Sequence, residues 1–581
     1  MSVPHKCLGK FGYIVHKDAI SKEQEKQILA DLTVKTLVLP AYKDVQKPKI
    51  YKIYYHTPTC YYLPRFYGIE VFGPPDYMLL SPGAPLKDGL KCLHEPLPHQ
   101  KVALEKAKAI FDPSKPTGDG GVLSLPCGYG KTFCATKIVA DYLKLAALII
   151  VPTECLMDQW IDAIASFVPG ARIGSIQCDR VEVKDKDFVV AMLHSIALKN
   201  YEPTVFDRFG IVIYDECHHL GSEHFSKSMM KIRTRFILGL SATPVRRDGL
   251  SHVFYKFMGP LFHKERRAGS NTVYVKKLTL NSNSENYQVL RKANGIINTP
   301  VMTTAISNLL ERNQLIVFCI RQLIQQNRKI LLLSSRREHL KVIKELLDAE
   351  GIKRPDTGKY ITYGFYYGKQ GMNRRTHREL LSESAKCDVV LGIDALAKEG
   401  LDIPDLNTLI FATPAGVDVE QPVGRILRKF HKGLNPMVID LVDNTGNYVK
   451  HSKHRDAWYA EENYVIQDRY IQLVGMNWTE QVQGYIHTQD PPRESAPVEE
   501  PEPVPELEVC MLLEPDEALP APQAKIKAKA VKAAKVARAA AIAAARPETK
   551  PSDNLCLLPP ATAVPVVKKP ARAPDFNKLM L

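Results

Sequence analysis

Short aliphatic runs recur along this chain, and they constrain its fold more than any other feature. The first series is Gly121-Val122-Leu123-Ser124-Leu125, Ala147-Leu148-Ile149-Ile150-Val151, Phe188-Val189-Val190-Ala191-Met192, Gly210-Ile211-Val212-Ile213-Tyr214 and Phe236-Ile237-Leu238-Gly239-Leu240. Each is short, bounded and without polar alternation, as a strand covered on both faces should be. Longer segments of helical pattern separate them, as the crossovers of a parallel sheet require. The same texture returns at Lys329 to Leu333, Val389-Val390-Leu391, Thr408 to Phe411 and Met437 to Leu441. The expected fold class is α/β, with two parallel-sheet domains in tandem.

Those two series set the other boundaries. Residues 91–264 and 326–480 hold them, and 265–325, which read as helical, join them. Residues 1–90 form an N-terminal accessory region with a helix capped by Ser21, where Gln24 completes a capping box. Residues 481–581 change character. Asp490 to Gln523 is proline-rich and acidic, and Gln523 to Pro547 is alanine interspersed with Lys525, Lys527, Lys529, Lys532, Lys535, Arg538 and Arg546. That composition buries too little apolar surface to offset the entropy of ordering, so a disordered tail is expected. No apolar run reaches membrane-spanning length, and the N-terminus lacks an apolar signal core. The 12 cysteines include no Cys-x-x-Cys pair. An intracellular protein with reduced thiols is expected, not a secreted one. The net charge of +15 leans towards a polyanionic partner.

Ser124-Leu125-Pro126-Cys127-Gly128-Tyr129-Gly130-Lys131-Thr132-Phe133 closes the first run and opens a helical pattern. Glycines permit a turn tight enough to aim backbone N–H groups at phosphate oxygens, and the helix N-terminus adds a positive dipole end. Cys127, Gly128, Tyr129 and Gly130 would form the cradle. Lys131 would reach the β- and γ-phosphates, and the Thr132 hydroxyl would ligate magnesium. Taken alone, the stretch also fits an ordinary strand-to-helix turn, because Leu125 stands where the common pattern has glycine.

A second signal follows the run ending at Tyr214, in Asp215-Glu216-Cys217-His218-His219. Paired carboxylates at a strand end suit hydrolysis: Asp215 holding the metal, Glu216 orienting and deprotonating a water. By itself this could be a surface loop. No further cysteine or histidine has ligand spacing, so zinc is not expected there. Ser241-Ala242-Thr243-Pro244 then ends the fifth run.

In this order the three motifs resemble the first motor domain of superfamily-two helicases. The remaining family motifs have counterparts in sequence order. Gln100 of Leu97-Pro98-His99-Gln100 matches the adenine-reading glutamine. Val151-Pro152-Thr153 with Asp158-Gln159-Trp160 resembles the first nucleic-acid-contact motif. Leu331 to Arg336 resembles motif four, and Gly392 to Pro404 resembles motif five. Gln421-Pro422-Val423-Gly424-Arg425-Ile426-Leu427-Arg428 resembles motif six. The resemblance spans about residues 91 to 445. Within the superfamily, Leu125 to Lys131 and Val245-Arg246-Arg247-Asp248 look like the XPB-like DNA helicases and the motor subunits of restriction enzymes. The N-terminal stretches Ile20 to Glu23 and Asp31 to Val34 resemble helicases of large cytoplasmic DNA viruses.

The resemblance implies two RecA-like domains facing each other across a cleft. ATP would lie on Gln100 and on Cys127, Gly128, Tyr129, Gly130, Lys131 and Thr132, with Mg2+ on Thr132 and Asp215. Glu216 would act on the water, and Gln421, Arg425 and Arg428 would reach the γ-phosphate from the second domain. His218, Ser241, Ala242 and Thr243 would relay closure. A nucleic-acid strand would cross both domains at Pro152, Thr153, Arg336 and Lys398. The expected activity is an ATP-dependent helicase or translocase, with DNA favoured as partner, in viral transcription or DNA repair. A virus factory, a virion or the host nucleus would be its place. An RNA helicase shares every motif and is the nearest rival; a non-hydrolysing scaffold is opposed by the intact Lys131, Glu216 and Arg428. The basic tail could tether nucleic acid through phosphates without sequence preference, or serve as a solubilising appendage or a nuclear localisation signal.

Overall fold

The structure, a computed structural model, describes residues 6–9, 11–36, 49–232, 234–244, 249–265, 267, 272–368, 373–394, 401–474 and 477–481. The expectations for Val245 to Asp248, Lys398 and the tail beyond 481 lie outside those residues.

The N-terminal region is built on strands. β1 (Lys6–Gly9), β2 (Gly12–His16), β5 (Tyr55–His56), β6 (Cys60–Leu63) and β7 (Tyr77–Met78) form one sheet in the order β5-β6-β2-β1-β7, while β3 (Thr33–Lys35) pairs with β4 (Ile50–Lys52). The helix Lys22–Asp31 starts with the expected capping box: the Ser21 hydroxyl accepts from Gln24 N at 3.2 Å, and the Gln24 side-chain Oε1 accepts from Ser21 N at 2.9 Å. Tyr13, Ile28, Ile53 and Leu63 join one buried cluster with Val122, Leu148 and Val212 of the next sheet. The accessory region and the first lobe therefore share a core. Arg65 reinforces the joint, donating to the Arg235 and Thr117 carbonyls at 2.7 Å each.

The first lobe carries β8 (Gly120–Ser124), β9 (Ala147–Val151), β10 (Ile173–Gln177), β11 (Arg180–Val181), β12 (Phe188–Met192), β13 (Ile211–Tyr214), β14 (Phe236–Ser241) and β15 (Leu261–Lys264). They run β11-β10-β12-β9-β13-β14-β8-β15, and only the β10–β11 pair is antiparallel. Each of the five expected runs is a strand, and β8, β9, β12, β13 and β14 are buried along their whole length. The order sets the carboxyl ends of β9, β13, β14 and β8 side by side, at the edge where ligands of open parallel sheets collect.

The second lobe repeats the plan with β16 (Tyr274–Ser282), β17 (Ile330–Ser334), β18 (Tyr363–Tyr366), β19 (Val389–Ile393), β20 (Thr408–Phe411), β21 (Met437–Asp443), β22 (Val465–Val474) and β23 (Asn477–Gln481). Their order is β18-β19-β17-β20-β21-β16-β22-β23. Here the helical reading of 265–325 needs correction. Its first part supplies β16, a strand between β21 and β22; a 3-10 turn follows at Glu285–Tyr287, and the α-helices come at Thr299–Ser307 and Leu310–Ile324. Lys276-Lys277 disguises the strand by breaking its apolar run. In the fold Lys277 is met by Asp456 at 2.7 Å and Asp468 at 3.4 Å.

His339 fixes the loop after β17. Its Nδ1 lies 3.0 Å from the Ser334 hydroxyl and its Nε2 2.8 Å from the Asn313 side-chain oxygen. Burial, and then the charge of Arg312, push its pKa down to about 3. An unfolded histidine takes a proton below about pH 6.5, whereas this one does not, so stability is lost as pH falls through that window. From pH 7.5 to 5.5 the loss should be about 1.4 kcal/mol. Denaturant midpoints of the wild type and His339→Gln at the two pH values check this. An equal pH slope in both proteins would remove His339 as the cause.

Candidate nucleotide site between the lobes

β8 hands the chain to the loop Pro126 to Gly130, and the helix Lys131–Lys137 follows at once. Gly128 and Gly130 both have left-handed backbones, with φ of 83° and 84°. Space is tight as well: a Cβ on Gly130 would meet Gln100 Nε2 at 2.3 Å, and one on Gly128 would meet Arg428 Cγ at 3.2 Å. Gln100, expected to read adenine, braces this loop. Its Oε1 accepts from Leu97 N at 2.9 Å while its Nε2 donates to the Tyr129 carbonyl at 3.1 Å.

The carboxylates arrive from β13, two strands away. Glu216 has a left-handed backbone, φ 47° and ψ 49°, uncommon for a side chain of its size and typical of strain held at functional sites. Its Oε1 faces Lys131 Nζ at 3.5 Å. Burial opposes the charge on Glu216, but Lys131, His218, Arg425 and His219 outweigh it and lower its pKa. Lys131 is likewise desolvated, yet Glu216, Cys127 and Asp215 raise its pKa, so both remain ionised. Asp215 behaves oppositely. Burial, then the Glu216 charge, push its pKa up to about 6. A carboxyl so placed calls for a cation, and Trp160 Nε1 donates to its Oδ2 at 2.8 Å. Trp160 projects from the helix Glu154–Phe167 after β9, and its role was not among the sequence expectations.

The expected relay residues meet in a chain. His218 Nδ1 lies 3.4 Å from Glu216 Oε2 and 3.0 Å from the Ser241 hydroxyl, which accepts from Thr243 N at 3.1 Å. The Ala242 carbonyl accepts from Ser124 at 3.4 Å. Ser241 meets His218 because β14, whose end it forms, pairs directly with β13, which leads into the turn carrying His218.

The second lobe closes the other side. Arg425 is buried, donates to the Leu401 carbonyl at 2.9 Å, and its charge bears on Lys131 and Glu216. Arg428 pairs with Asp402 and packs against Gly128. Gln421 is buried one turn earlier. Sequence reasoning missed Arg267, which belongs to no motif. Its guanidinium donates to the Leu427 carbonyl at 2.6 Å and the Cys127 carbonyl at 2.7 Å, and lies over the Tyr129 ring at 5.0 Å. One side chain thus ties the Pro126 to Gly130 loop to the segment around Arg425 and Arg428. Farther along the cleft, Cys155 Sγ approaches Tyr366 OH at 3.7 Å, and Asp162 pairs with Arg378.

Of the proposed strand contacts, Pro152 is buried and the Thr153 hydroxyl caps the helix Glu154–Phe167, accepting from Leu156 N at 3.4 Å. Arg336 is tied to the helix Thr299–Ser307, donating to the Thr304 hydroxyl at 2.9 Å and the Pro300 carbonyl at 2.7 Å. The donor set suits magnesium. Among the described residues no three or more His, Cys, Asp or Glu converge on one point. A hydroxyl at Thr132 and a carboxylate at Asp215 are the hard, sparse oxygen ligands that magnesium takes when phosphates and water complete its shell.

Residues 93–246 match the family model described as type III restriction enzyme, res subunit. The chain is 34% identical over 468 residues to the putative ATP-dependent RNA helicase L396 of Acanthamoeba polyphaga mimivirus, a match covering 80% of this chain and 86% of that protein. It is 27% identical over 410 residues to the putative helicase 055L of Frog virus 3, covering 70% and 86% respectively. Among solved structures, T4 UvsW aligns at 18% identity over 81% of this chain and 99% of its own, with a TM-score of 0.30.

Proposed function

The chain belongs to the superfamily-two helicases, enzymes that hydrolyse ATP, and on that footing we propose that it moves along nucleic acid, DNA first, as its two lobes open and close. The observation that carries this is the composite site: Lys131 and Glu216 on one lobe, Arg425 and Arg428 on the other, within a few side chains of each other. Lys131 and the loop amides hold phosphate oxygens, Glu216 takes the proton of the attacking water, and the arginines balance charge as the γ-phosphoryl group leaves. Magnesium, held by Thr132 and Asp215, would neutralise the phosphates. His218 and Ser241 carry the state of Glu216 to β14. Thr153 and the Ser335-Arg336 loop contact the strand without reading sequence. The match of the first lobe to a restriction-enzyme subunit supports DNA. A second reading, RNA, rests on the name of the mimivirus relative. A virus factory, a virion or the host nucleus is the proposed location.

Steady-state ATP turnover without cofactor and with single-stranded DNA, duplex DNA or RNA tests the function. Strong stimulation by DNA is expected, and stimulation by RNA alone would move the assignment to RNA. Equal turnover in all four conditions would end the motor reading.

Trp160 offers a finer check. Its indole N–H orients the carboxylate proposed to hold magnesium, and partners of that kind are worth on the order of tenfold in metal affinity. Trp160→Phe keeps the packing and removes the donor. Half-saturating magnesium for ATP hydrolysis should therefore rise about tenfold in a magnesium titration, and an unchanged value would leave Trp160 as a packing residue only.

A further inference from the structure

The accessory region sends one small element to the turn that carries the catalytic carboxylate. β3 and β4 form a two-stranded sheet of their own, with Val34 opposite Tyr51. Both side chains are buried in one cluster with Cys217 and Leu220 of the first lobe. From that cluster the Tyr51 hydroxyl donates to the Gly221 carbonyl at 2.6 Å. The strand pair is anchored where the chain enters β3 as well. Lys256 Nζ, on the first-lobe helix Ser251–Met258, donates at 2.8 Å to the carbonyl of Asp31, the last residue of the helix Lys22–Asp31. A lysine on the closing carbonyls of a helix is a favourable joint.

Glu216 opens the turn Cys217–Gly221, and Gly221 closes it. Glu216 is held at φ 47° and ψ 49°, a strained conformation that persists only where the surroundings over-determine it. The first lobe holds the start of the turn itself: the Glu216 carbonyl accepts from His219 N at 3.0 Å, and His218 Nδ1 lies 3.0 Å from the Ser241 hydroxyl. The closing carbonyl is taken by Tyr51, which belongs to neither lobe. A buried carbonyl needs a donor wherever it lies. This donor comes from 170 positions away in sequence, to the one turn that carries both the base and its relay histidine.

We propose that Tyr51 is a positioning residue of the ATPase: by fixing the far end of the turn that Glu216 begins, it makes stimulated hydrolysis depend on the accessory region as well as on the two lobes. The proposal rests on the reading of Glu216 as the base. It gives residues 1–90 a part in catalysis without requiring them to touch nucleotide or nucleic acid. The ring of Tyr51 packs, and its hydroxyl positions.

The test uses the full chain with Tyr51→Phe, which keeps the ring and removes the hydroxyl. At saturating nucleic acid, kcat should fall about tenfold, because a 1 Å misplacement of a reacting group costs on the order of 100-fold. The KM for ATP and the affinity for a fluorescent nucleotide should stay at wild-type values, since Lys131 and the phosphate loop are untouched. Tyr67→Phe is the control. It removes another buried hydroxyl of the same region, one that donates to Asp31 Oδ2 at 3.0 Å within residues 1–90, and it should leave kcat unchanged. In a His218→Ala background, Tyr51→Phe should add less than about twofold further loss of stimulated turnover, because both residues act through one turn. Wild-type kcat for Tyr51→Phe, an equal fall for Tyr67→Phe, or losses that multiply in the double variant would overturn the proposal and leave Tyr51 a packing residue. Failure of the base assignment looks different: Glu216→Gln would then turn over like the wild type. A slow Glu216→Gln beside a fast Tyr51→Phe removes the accessory region from catalysis and leaves the base in place.

Discussion

Glu216→Gln is expected to bind ATP at least as tightly as the wild type and to hydrolyse it 10²–10⁴ times more slowly, the range that a positioned general base supplies. Two features fix the direction of each effect. First, Glu216 is ionised despite its burial, because Lys131, His218, Arg425 and His219 surround it with positive charge. A buried carboxylate kept anionic beside a phosphate loop can accept a proton from water, and an amide cannot. Second, that anion faces Lys131 at 3.5 Å, where phosphate oxygens are proposed to lie. Removing a negative charge there lowers repulsion, so affinity should not fall. The exchange is nearly isosteric, and the strained backbone at φ 47° is set by the turn rather than by the carboxylate. Steady-state turnover with saturating nucleic acid, read beside fluorescent-nucleotide binding, separates the two quantities. Turnover within about tenfold of wild type would show that Glu216 is not the base.

His218 should behave differently. It touches Glu216 Oε2 and Ser241 but lies outside the Lys131 contact. Its loss weakens the link between the two strands and leaves the base in place, so His218→Ala should uncouple stimulation by nucleic acid more than it lowers basal turnover.

The elements that the sequence made legible share one property: they are buried on both faces and therefore lack polar interruption. β9 reads ALIIV and β13 reads IVIY, and nothing but a central parallel strand fits them. β16 escaped notice because Lys276-Lys277 interrupts it, and only the tertiary fold brings Asp456 and Asp468 to Lys277. The N-terminal sheet was equally opaque. Its strands are two to five residues long, too short to show a period, and β1 pairs with β7 and β2 with β6 far along the sequence. In the site, motifs located Lys131, Asp215, Glu216, Arg425 and Arg428 because their spacing within one turn is fixed by local chemistry. Trp160 was visible inside a motif, but its bond to Asp215 spans 55 positions and has no local signature. Arg267 had no signal at all, since a residue that donates to two backbone carbonyls demands nothing of the partner sequences.

Arg428→Ala should lower ATP turnover by about 10³-fold or more, the scale on which an arginine supplied to the γ-phosphate acts. The side chain reaches over from the second lobe until its Cγ would lie 3.2 Å from a Cβ on Gly128. Asp402 holds its Nη1, which fixes the direction of the planar fork. Burial, the first of the influences on it, lowers its pKa, with Arg267 acting the same way and Cys127 and Tyr366 opposing. A desolvated guanidinium that stays charged is a strong electrostatic donor in a site from which water is excluded. Arg428→Lys should recover little, because an ammonium cannot keep Asp402 and a phosphate oxygen in one plane. Arg267 supplies the contrast that gives this experiment its force. It makes the same crossing between lobes but donates to the carbonyls of Cys127 and Leu427, so its donors are turned to backbone. Arg267→Ala should then weaken closure, raising the KM for ATP while leaving most of kcat. If Arg267→Ala and Arg428→Ala lower kcat alike, the second lobe contributes only by clamping. A steep loss of kcat confined to Arg428→Ala means that charge on the transferring group is balanced from across the cleft, which is what makes hydrolysis depend on lobe position.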